Sequence, residues 1–156
     1  DHEHEIYHYK DHFYVVTNWE AKNFRLMKAP VATSADKSTW EEVVPGRDDA
    51  FLHSIEVFEG YLVLSEQIDA LRKLRIMPLQ DGGGIDEASE HYVEFDEPVY
   101  TTWISVNRQF ETDTLRFTYT SLTTPNSSWD YSMKERKMTL LKQDEDAFQS
   151  DRRAAL

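Results

Sequence analysis

The sequence predicts an all-β chain, and three observations support that fold class. Aromatic residues make up 13% of the 156 residues, whereas glycine and proline number five each. Tyr, Phe, Trp, Val and Thr suit a pleated, half-buried strand surface. Short runs of alternating apolar and polar residues recur along the chain, and turn residues close each run.

The first 50 residues contain four strand-like runs. They cover residues 6–9, 13–18, 24–30 and 40–45. Successive side chains of a strand point to opposite faces. The third run therefore predicts one face with Phe24, Leu26 and Lys28. Arg25 and Met27 lie on the other face.

The same plan follows twice more. Strand-like runs cover residues 51–58, 61–65, 71–79, 92–95, 99–106, 114–120, 127–133 and 137–142. Residues 66–76 could also form a short helix, because Ile68, Leu71 and Arg72 have helical spacing. We favour a strand there, since Leu74 and Ile76 fall where the other repeats have one.

The spacing of the repeats predicts the architecture. The second strands begin near Phe13, Tyr61 and Leu115, which places them 48 and 54 residues apart. Four-stranded units with a period of roughly 40–50 residues are typical of propeller blades, which bury their faces by stacking. We therefore predict a partial β-propeller of about three four-stranded antiparallel blades, at residues 1–48, 49–97 and 98–143. A polar tail, residues 144–156, follows.

Composition narrows the possible partners. The formal charge of −12 argues against nucleic acid, which requires a basic face. No apolar run reaches the roughly 20 residues of a membrane helix. Residues 1–5 are polar and lack the features of a signal peptide, and the absence of cysteine fits a reducing compartment, so we expect a cytoplasmic protein. Because the first residue is not methionine, we expect a processed chain or, preferably, an excerpt of a longer one.

No catalytic motif is present, and we predict no catalytic, cofactor-binding or metal-binding residue in this chain. A nucleophile elbow requires G-x-S-x-G. None of the glycines lies in such a pattern; they are Gly46, Gly60, Gly82, Gly83 and Gly84. A Ser-His-Asp triad scattered along the sequence remains an alternative.

The histidines near the start offer an alternative metal site. Four of them lie within eleven residues, namely His2, His4, His8 and His12. Two histidines with Glu3 or Asp11 could hold zinc, but the spacing matches no zinc pattern. We favour an ordinary group of surface histidines.

Three further features have simple structural interpretations. The acidic residues between 86 and 97 do not have the ligand offsets of a calcium loop, so we expect a solvated loop. The Gly82–Gly84 run has no P-loop form and is expected to be a plain loop. The tryptophans are expected to pack between blades rather than to bind carbohydrate; they are Trp19, Trp40, Trp103 and Trp129.

Several segments resemble the propeller domain of oligopeptidase B (protease II) in the prolyl oligopeptidase family. The most specific is residues 113–125, DTLRFTYTSLTTP, which is similar to a family stretch ending in S-S-L-T-T-P, with Thr120 in place of the first Ser. Supporting segments run in family order from about residue 5 to residue 143. They are FY and TN at 13–18, KNFRL at 22–26, WEEV at 40–43, LVLSE at 62–66, FDEP and YT at 95–101, WDY at 129–131 and LLKQ at 140–143.

The resemblance implies a function for the whole protein. In that family a seven-bladed propeller caps an α/β-hydrolase domain and admits short peptides, and oligopeptidase B cleaves after Arg or Lys. By resemblance this chain is the last three blades. Its implied partners are the peptidase catalytic domain and short basic peptides, and the catalytic Ser, Asp and His lie outside it. The resemblance runs to about residue 143, and residues 146–150 depart from the family where it continues toward the peptidase domain.

Two other functions remain open at this point. One is a stand-alone interaction module built from propeller blades, and the other is an unrelated all-β enzyme with a metal site. An open arc of blades leaves sheet faces and strand edges uncovered. We therefore also expect the isolated chain to self-associate, as a homo-oligomer through its blade edges.

Overall fold

The structure, a computed structural model, describes residues 1–81 and 83–145. Each of its three sheets has four strands in chain order, and every pair of neighbouring strands is antiparallel. The first contains β1 (His4–Tyr9), β2 (His12–Thr17), β3 (Arg25–Pro30) and β4 (Glu41–Val44). The second contains β5 (Ala50–Val57), β6 (Tyr61–Ile68), β7 (Leu71–Pro78) and β8 (His91–Tyr92). The third contains β9 (Tyr100–Ile104), β10 (Thr114–Ser121), β11 (Ser127–Ser132) and β12 (Lys137–Gln143).

Helical structure is limited to short 3-10 segments in this part of the chain. They are Val31–Thr33, Lys37–Thr39 and Glu87–Ser89. Across residues 1–81 and 83–145, no helix has the length and apolar character that crossing a bilayer requires. The predicted fold class, all-β with three four-stranded antiparallel units, is confirmed.

Residues 66–76 form strands, so the helical alternative is wrong. β6 continues to Ile68, and Asp69 and Ala70 form a two-residue turn into β7. Both turn residues have positive φ, 50° and 63°. Turns of this hand match the twist of the strands that they join.

The fourth strand of the second sheet differs from the prediction. It ends at Tyr92, whereas the sequence predicts a strand over residues 92–95. The Val93 N–H still donates to Leu74 O at 2.9 Å, and then the chain turns toward the third sheet. Phe95 packs against rings of that sheet, with its centroid 4.6 Å from that of Tyr100. The alternation of apolar residues over 92–95 therefore reflects burial against a neighbouring sheet, and it does not reflect strand pairing within the second sheet.

The first and second sheets pack face to face around one apolar cluster. Its buried members are Tyr9, Tyr14, Val16, Leu26 and Val44 from the first sheet with Leu52, Ile55, Leu62, Leu64 and Met77 from the second. Phe24 packs on the same cluster, whereas Met27 belongs to the opposite face of β3. The face alternation predicted for these residues is confirmed.

A second cluster joins the second and third sheets. Its buried members are Phe58, Val63, Leu74, Ile76, Val93, Leu115, Phe117, Tyr119, Tyr131 and Met133. The middle sheet thus has both faces covered, and β6 is buried without interruption from Leu62 to Glu66. Burying one such side chain contributes roughly 1.5–3 kcal/mol. Stacking is therefore the main source of stability.

The outer face of the first sheet is covered by the chain itself. Trp19 and Trp40 meet edge to face, with ring centroids 5.9 Å apart, over the buried side chains of Val15, Met27 and Ala29. This face is therefore not left bare, contrary to what we expected of an open arc of sheets.

Of the four tryptophans, Trp129 is the one that packs against the cluster between two described sheets, as predicted. Trp19 and Trp40 lie on the outer face of the first sheet. Trp103 lies on the outer face of the third sheet, 40% exposed.

Candidate functional site at the exit end of the sheets

Both ends of the described chain lie at one end of the stack. Beside the start of β1, the Glu3 N–H donates to Asn18 Oδ1 at 2.8 Å. After β12, the Asp144 N–H donates to Asn126 O at 2.9 Å. We call this the exit end. It comprises the connections at residues 18–24, 45–49, 69–70, 93–99 and 122–126.

A single carboxylate organises the exit end of the third sheet. Glu97 lies in the connection from β8 to β9, and its two oxygens accept hydrogen bonds from four hydroxyl groups. The donors are Tyr119 Oη at 2.5 Å, Ser121 Oγ at 2.6 Å, Thr124 Oγ1 at 2.9 Å and Thr123 Oγ1. The carboxylate therefore ties β10 and the turn after it to the connection between the second and third sheets.

These hydrogen bonds fix the charge of Glu97. The hydroxyls of Ser121, Thr123 and Tyr119, in that order of effect, lower the pKa of Glu97 to about 2. Hydrogen bonds to the ionised form of a carboxyl favour that form. Glu97 is therefore an anion except under strongly acidic conditions.

The turn after β10 is also rigid in its backbone. The Ser121 N–H donates to Thr124 O at 3.0 Å. Ser121 Oγ accepts from the N–H of Thr123 at 3.2 Å and from that of Thr124 at 2.9 Å. At the tip, the side chain of Leu122 is 97% exposed. The S-L-T-T-P run that carries the resemblance is thus a braced turn.

 A cleft lies beside this turn. Its volume is about 510 Å³. Phe95, Trp129 and Met138 supply apolar walls, and the exposed acidic residues Glu94 and Asp96 lie at its rim. The exit end of the third sheet therefore combines a rigid turn with an apolar, acid-rimmed cleft.

A second acidic residue is buried in the second sheet. Glu66 on β6 is 3% exposed and lies between two guanidinium groups, 3.7 Å from Arg47 Nη1 and 3.6 Å from Arg75 Nη1. It also accepts a hydrogen bond from Tyr92 Oη at 3.1 Å. Burial, followed by the charge of Glu66, raises the pKa of Tyr92. A buried carboxylate needs such partners, so this cluster fixes the 45–49 connection to the second sheet.

The histidines do not form one group. The rings of His2 and His4 are 6.4 Å apart, and His4 lies edge-on to Trp40. His12 is 4% exposed, with its ring 4.8 Å from that of Tyr14 in the interior. The interpretation of His12 as a surface histidine is therefore wrong, because β2 turns this side chain between the first two sheets. Within the described residues, no three His, Asp or Glu side chains are placed to hold a metal ion.

The sequence analysis also singled out the glycine run and the acidic stretch between residues 86 and 97. Gly83 has a φ of 91°, and a Cβ there would lie 3.8 Å from the ring of His12. In the acidic stretch, Glu90 pairs with Arg75 and Glu97 with its hydroxyls. Gly82 and residues 146–156 of the predicted tail lie outside the described residues.

The histidines that form side-chain hydrogen bonds have partners other than a serine hydroxyl. His12 Nδ1 contacts Asp11, His53 Nε2 contacts Gln67, and His91 Nε2 contacts Tyr131 Oη. In residues 1–81 and 83–145 we find no Ser-His pair of the kind that activates a nucleophile. The prediction that this chain supplies no catalytic residue stays a prediction.

The sequence analysis predicted a role for neither of two carboxylates. Glu66 is buried, and Glu97 is held by four hydroxyl groups. For Glu97 a signal was available, because a strand followed by Ser121, Thr123 and Thr124 presents several hydroxyl donors at one turn. Nothing in the sequence indicated which acceptor they would share. The partner lies 24 residues before Ser121 and meets it only in the folded chain.

Comparison with known proteins gives consistent results. Residues 1–144 match the family described as prolyl oligopeptidase, N-terminal beta-propeller domain. Dipeptidyl aminopeptidase BI of Pseudoxanthomonas mexicana is 34% identical over 144 residues, which are 92% of this chain and 19% of that protein. Protease 2 of Moraxella lacunata is 22% identical over 130 residues, 83% of this chain and 17% of that protein.

Solved structures agree with these relatives. Oligopeptidase B from Leishmania major superposes with a TM-score of 0.80 at 28% identity, covering 92% of this chain and 20% of that one. Oligopeptidase B from Trypanosoma brucei superposes with a TM-score of 0.82 at 24% identity, covering 92% of this chain and 21% of that one. The chain thus spans about one fifth of the length of these relatives. The match over residues 1–144 shows that the chain belongs to the prolyl oligopeptidase N-terminal β-propeller family.

Proposed function

We propose that this chain is the non-catalytic propeller part of an oligopeptidase B-like serine peptidase, which restricts access of short basic peptides to a catalytic domain outside these residues. The observation that carries the proposal is the family match over residues 1–144, together with three stacked four-stranded sheets. Rigid stacked sheets suit a steric filter, because both faces of the middle sheet are buried.

The charge of the chain supports basic peptides as the substrate class. Asp and Glu number 29 against 17 Lys and Arg. A surface with this excess attracts cationic peptides over roughly one Debye length, about 8 Å at physiological ionic strength. The attraction weakens as salt is added, so it is separable from steric filtering.

A chimeric enzyme tests the proposal. Residues 1–144 of this chain replace the matching part of Leishmania major oligopeptidase B, and the host enzyme is the control. We expect the chimera to cleave a short arginine reporter peptide and to discriminate against the same reporter within a folded protein. A chimera that folds but cleaves both substrates equally well would contradict the steric filter.

We also propose self-association of the isolated chain through the edge of β12 that has no partner strand among the described residues. This strand is the last of its sheet, with Leu140 44% and Leu141 46% exposed. Unpaired strand edges with apolar side chains are prone to pair with another chain. Sedimentation equilibrium should show a concentration-dependent dimer that Leu141→Lys weakens. A monomer at every concentration would refute this pairing and leave the peptidase proposal intact.

A further inference from the structure

Leu122 is unusual among the exposed apolar residues because its surroundings are rigid. It is 97% exposed, compared with 75% for Val106 in the connection from β9 to β10. Single exposed apolar side chains are common in proteins and need no explanation by themselves. Here, however, the turn that carries the leucine is fixed on both sides by hydrogen bonds to Glu97 and Ser121.

Such rigidity favours binding. A turn whose backbone is already held in place loses little conformational freedom when a partner covers it. Apolar anchors surrounded by polar groups are typical of the energetically dominant positions in interfaces. The surroundings of Leu122 fit that description, since the cleft beside its turn has an apolar wall at Trp129 and acidic residues Glu94 and Asp96 at its rim.

The direction of the chain indicates what covers the leucine. β12 ends at the exit end, where Asp144 N–H is bonded to Asn126 O, four residues after Leu122. The described chain thus ends, at residue 145, beside this turn. The relatives are about five times longer than the chain, and the matched family is an N-terminal domain. We therefore consider a surface elsewhere in the parent protein as the partner that covers Leu122.

We propose that Leu122 docks into an apolar pocket of the peptidase domain of the parent protein, and that basic residues around that pocket face Glu94 and Asp96. This inference rests on the proposed function. It adds a contact that holds the two domains together, with Glu97 as the positioning residue that keeps the turn in shape.

The test uses the full-length parent protein with Leu122→Ser, and Val106→Ser is the matched control at the opposite end of the sheets. Limited proteolysis of the folded parent protein reports how often the two domains separate. We expect Leu122→Ser to increase the cleavage rate between the domains about ten-fold, as for the loss of one buried leucine contact. Val106→Ser should leave the rate unchanged. In the isolated chain, neither substitution should change the urea midpoint.

The outcomes separate this inference from the proposed function. An active parent protein in which both substitutions give the same proteolysis rate overturns the docking of Leu122 and keeps the proposed function. Loss of stability in the isolated chain with Leu122→Ser also overturns docking, because the leucine would then serve the fold of the chain itself. A parent protein that lacks peptidase activity counts against the proposed function, and the docking inference falls with it.

Discussion

The two contacts between neighbouring sheets differ in how they treat buried polar atoms. Between the first and second sheets, Tyr14 Oη and His12 Nε2 are buried without a hydrogen-bond partner among the described protein atoms. Between the second and third sheets, Tyr119 Oη donates to Glu97 at 2.5 Å, and Tyr131 Oη lies 2.9 Å from His91 Nε2. Tyr14 is thus a potential cost in the first contact, whereas Tyr119 is a connection to the exit end in the second.

This difference identifies the contact that is coupled to the candidate site. A buried polar group without a partner costs about 1–3 kcal/mol, whereas a hydrogen bond to a charged group contributes roughly 1.5–3 kcal/mol. The second contact therefore gains specificity from its polar atoms, and it transmits the position of the 121–125 turn to the middle sheet. Four substitutions test this interpretation, from the largest expected effect to the smallest.

Phe117→Ala should have the largest effect. Phe117 is fully buried between the second and third sheets. Removing a buried Phe side chain costs about 3–5 kcal/mol, because the transfer free energy is lost and a cavity remains. Urea unfolding measures the change, with Leu122→Ala as the control that should lie within about 0.5 kcal/mol of the parent. A loss below about 1 kcal/mol would show that this contact contributes little.

Glu97→Gln should change the pH dependence of stability. The pKa of Glu97 in the folded chain, about 2, lies below its ordinary value of 4.5. A depressed pKa stabilises the fold above the unfolded pKa, and this contribution is lost as the pH falls from about 4.5 toward 2. The parent chain should therefore lose more stability than Glu97→Gln between pH 5 and pH 2. Parallel pH profiles in urea unfolding would refute the role of the hydroxyl cluster.

Tyr119→Phe should have a smaller effect, because it removes one of the four hydroxyls that Glu97 accepts. We expect a loss of stability at neutral pH that is smaller than that of Phe117→Ala. In the double variant with Glu97→Gln, this loss should shrink, since the charged partner is gone. Additive losses in the unfolding free energy would mean that Tyr119 acts independently of Glu97.

Tyr14→Phe is the matched change at the other contact and should have the smallest effect. Tyr14 is 1% exposed and burial raises its pKa to about 12. Removing a hydroxyl that has no protein partner should be neutral or stabilise the fold by up to about 1 kcal/mol. The sign of the change, opposite to that of Tyr119→Phe, is the decisive measurement. Destabilisation by Tyr14→Phe would mean that the two contacts do not differ in this way.

The sequence predicted most of the fold because strand periodicity is local. Leu26 and Met27 were assigned to opposite faces from alternation alone, and both assignments hold. The sequence predicted a strand over residues 92–95, which extends beyond the observed strand. The reason is that Val93 and Phe95 are buried by a neighbouring sheet and not by strand pairing. Periodicity reports burial, and it does not say which element causes the burial.

By itself the sequence determined three four-stranded antiparallel units and, through the resemblance, the family to which they belong. Only the tertiary structure placed His12 in the interior, paired Glu66 with two arginines and brought Glu97 to the hydroxyls of the 121–125 turn. The physical reason is the separation along the sequence over which each kind of contact acts. Alternation and turn chemistry depend on neighbours in sequence, whereas the partners of a buried or braced charge depend on how separate sheets stack.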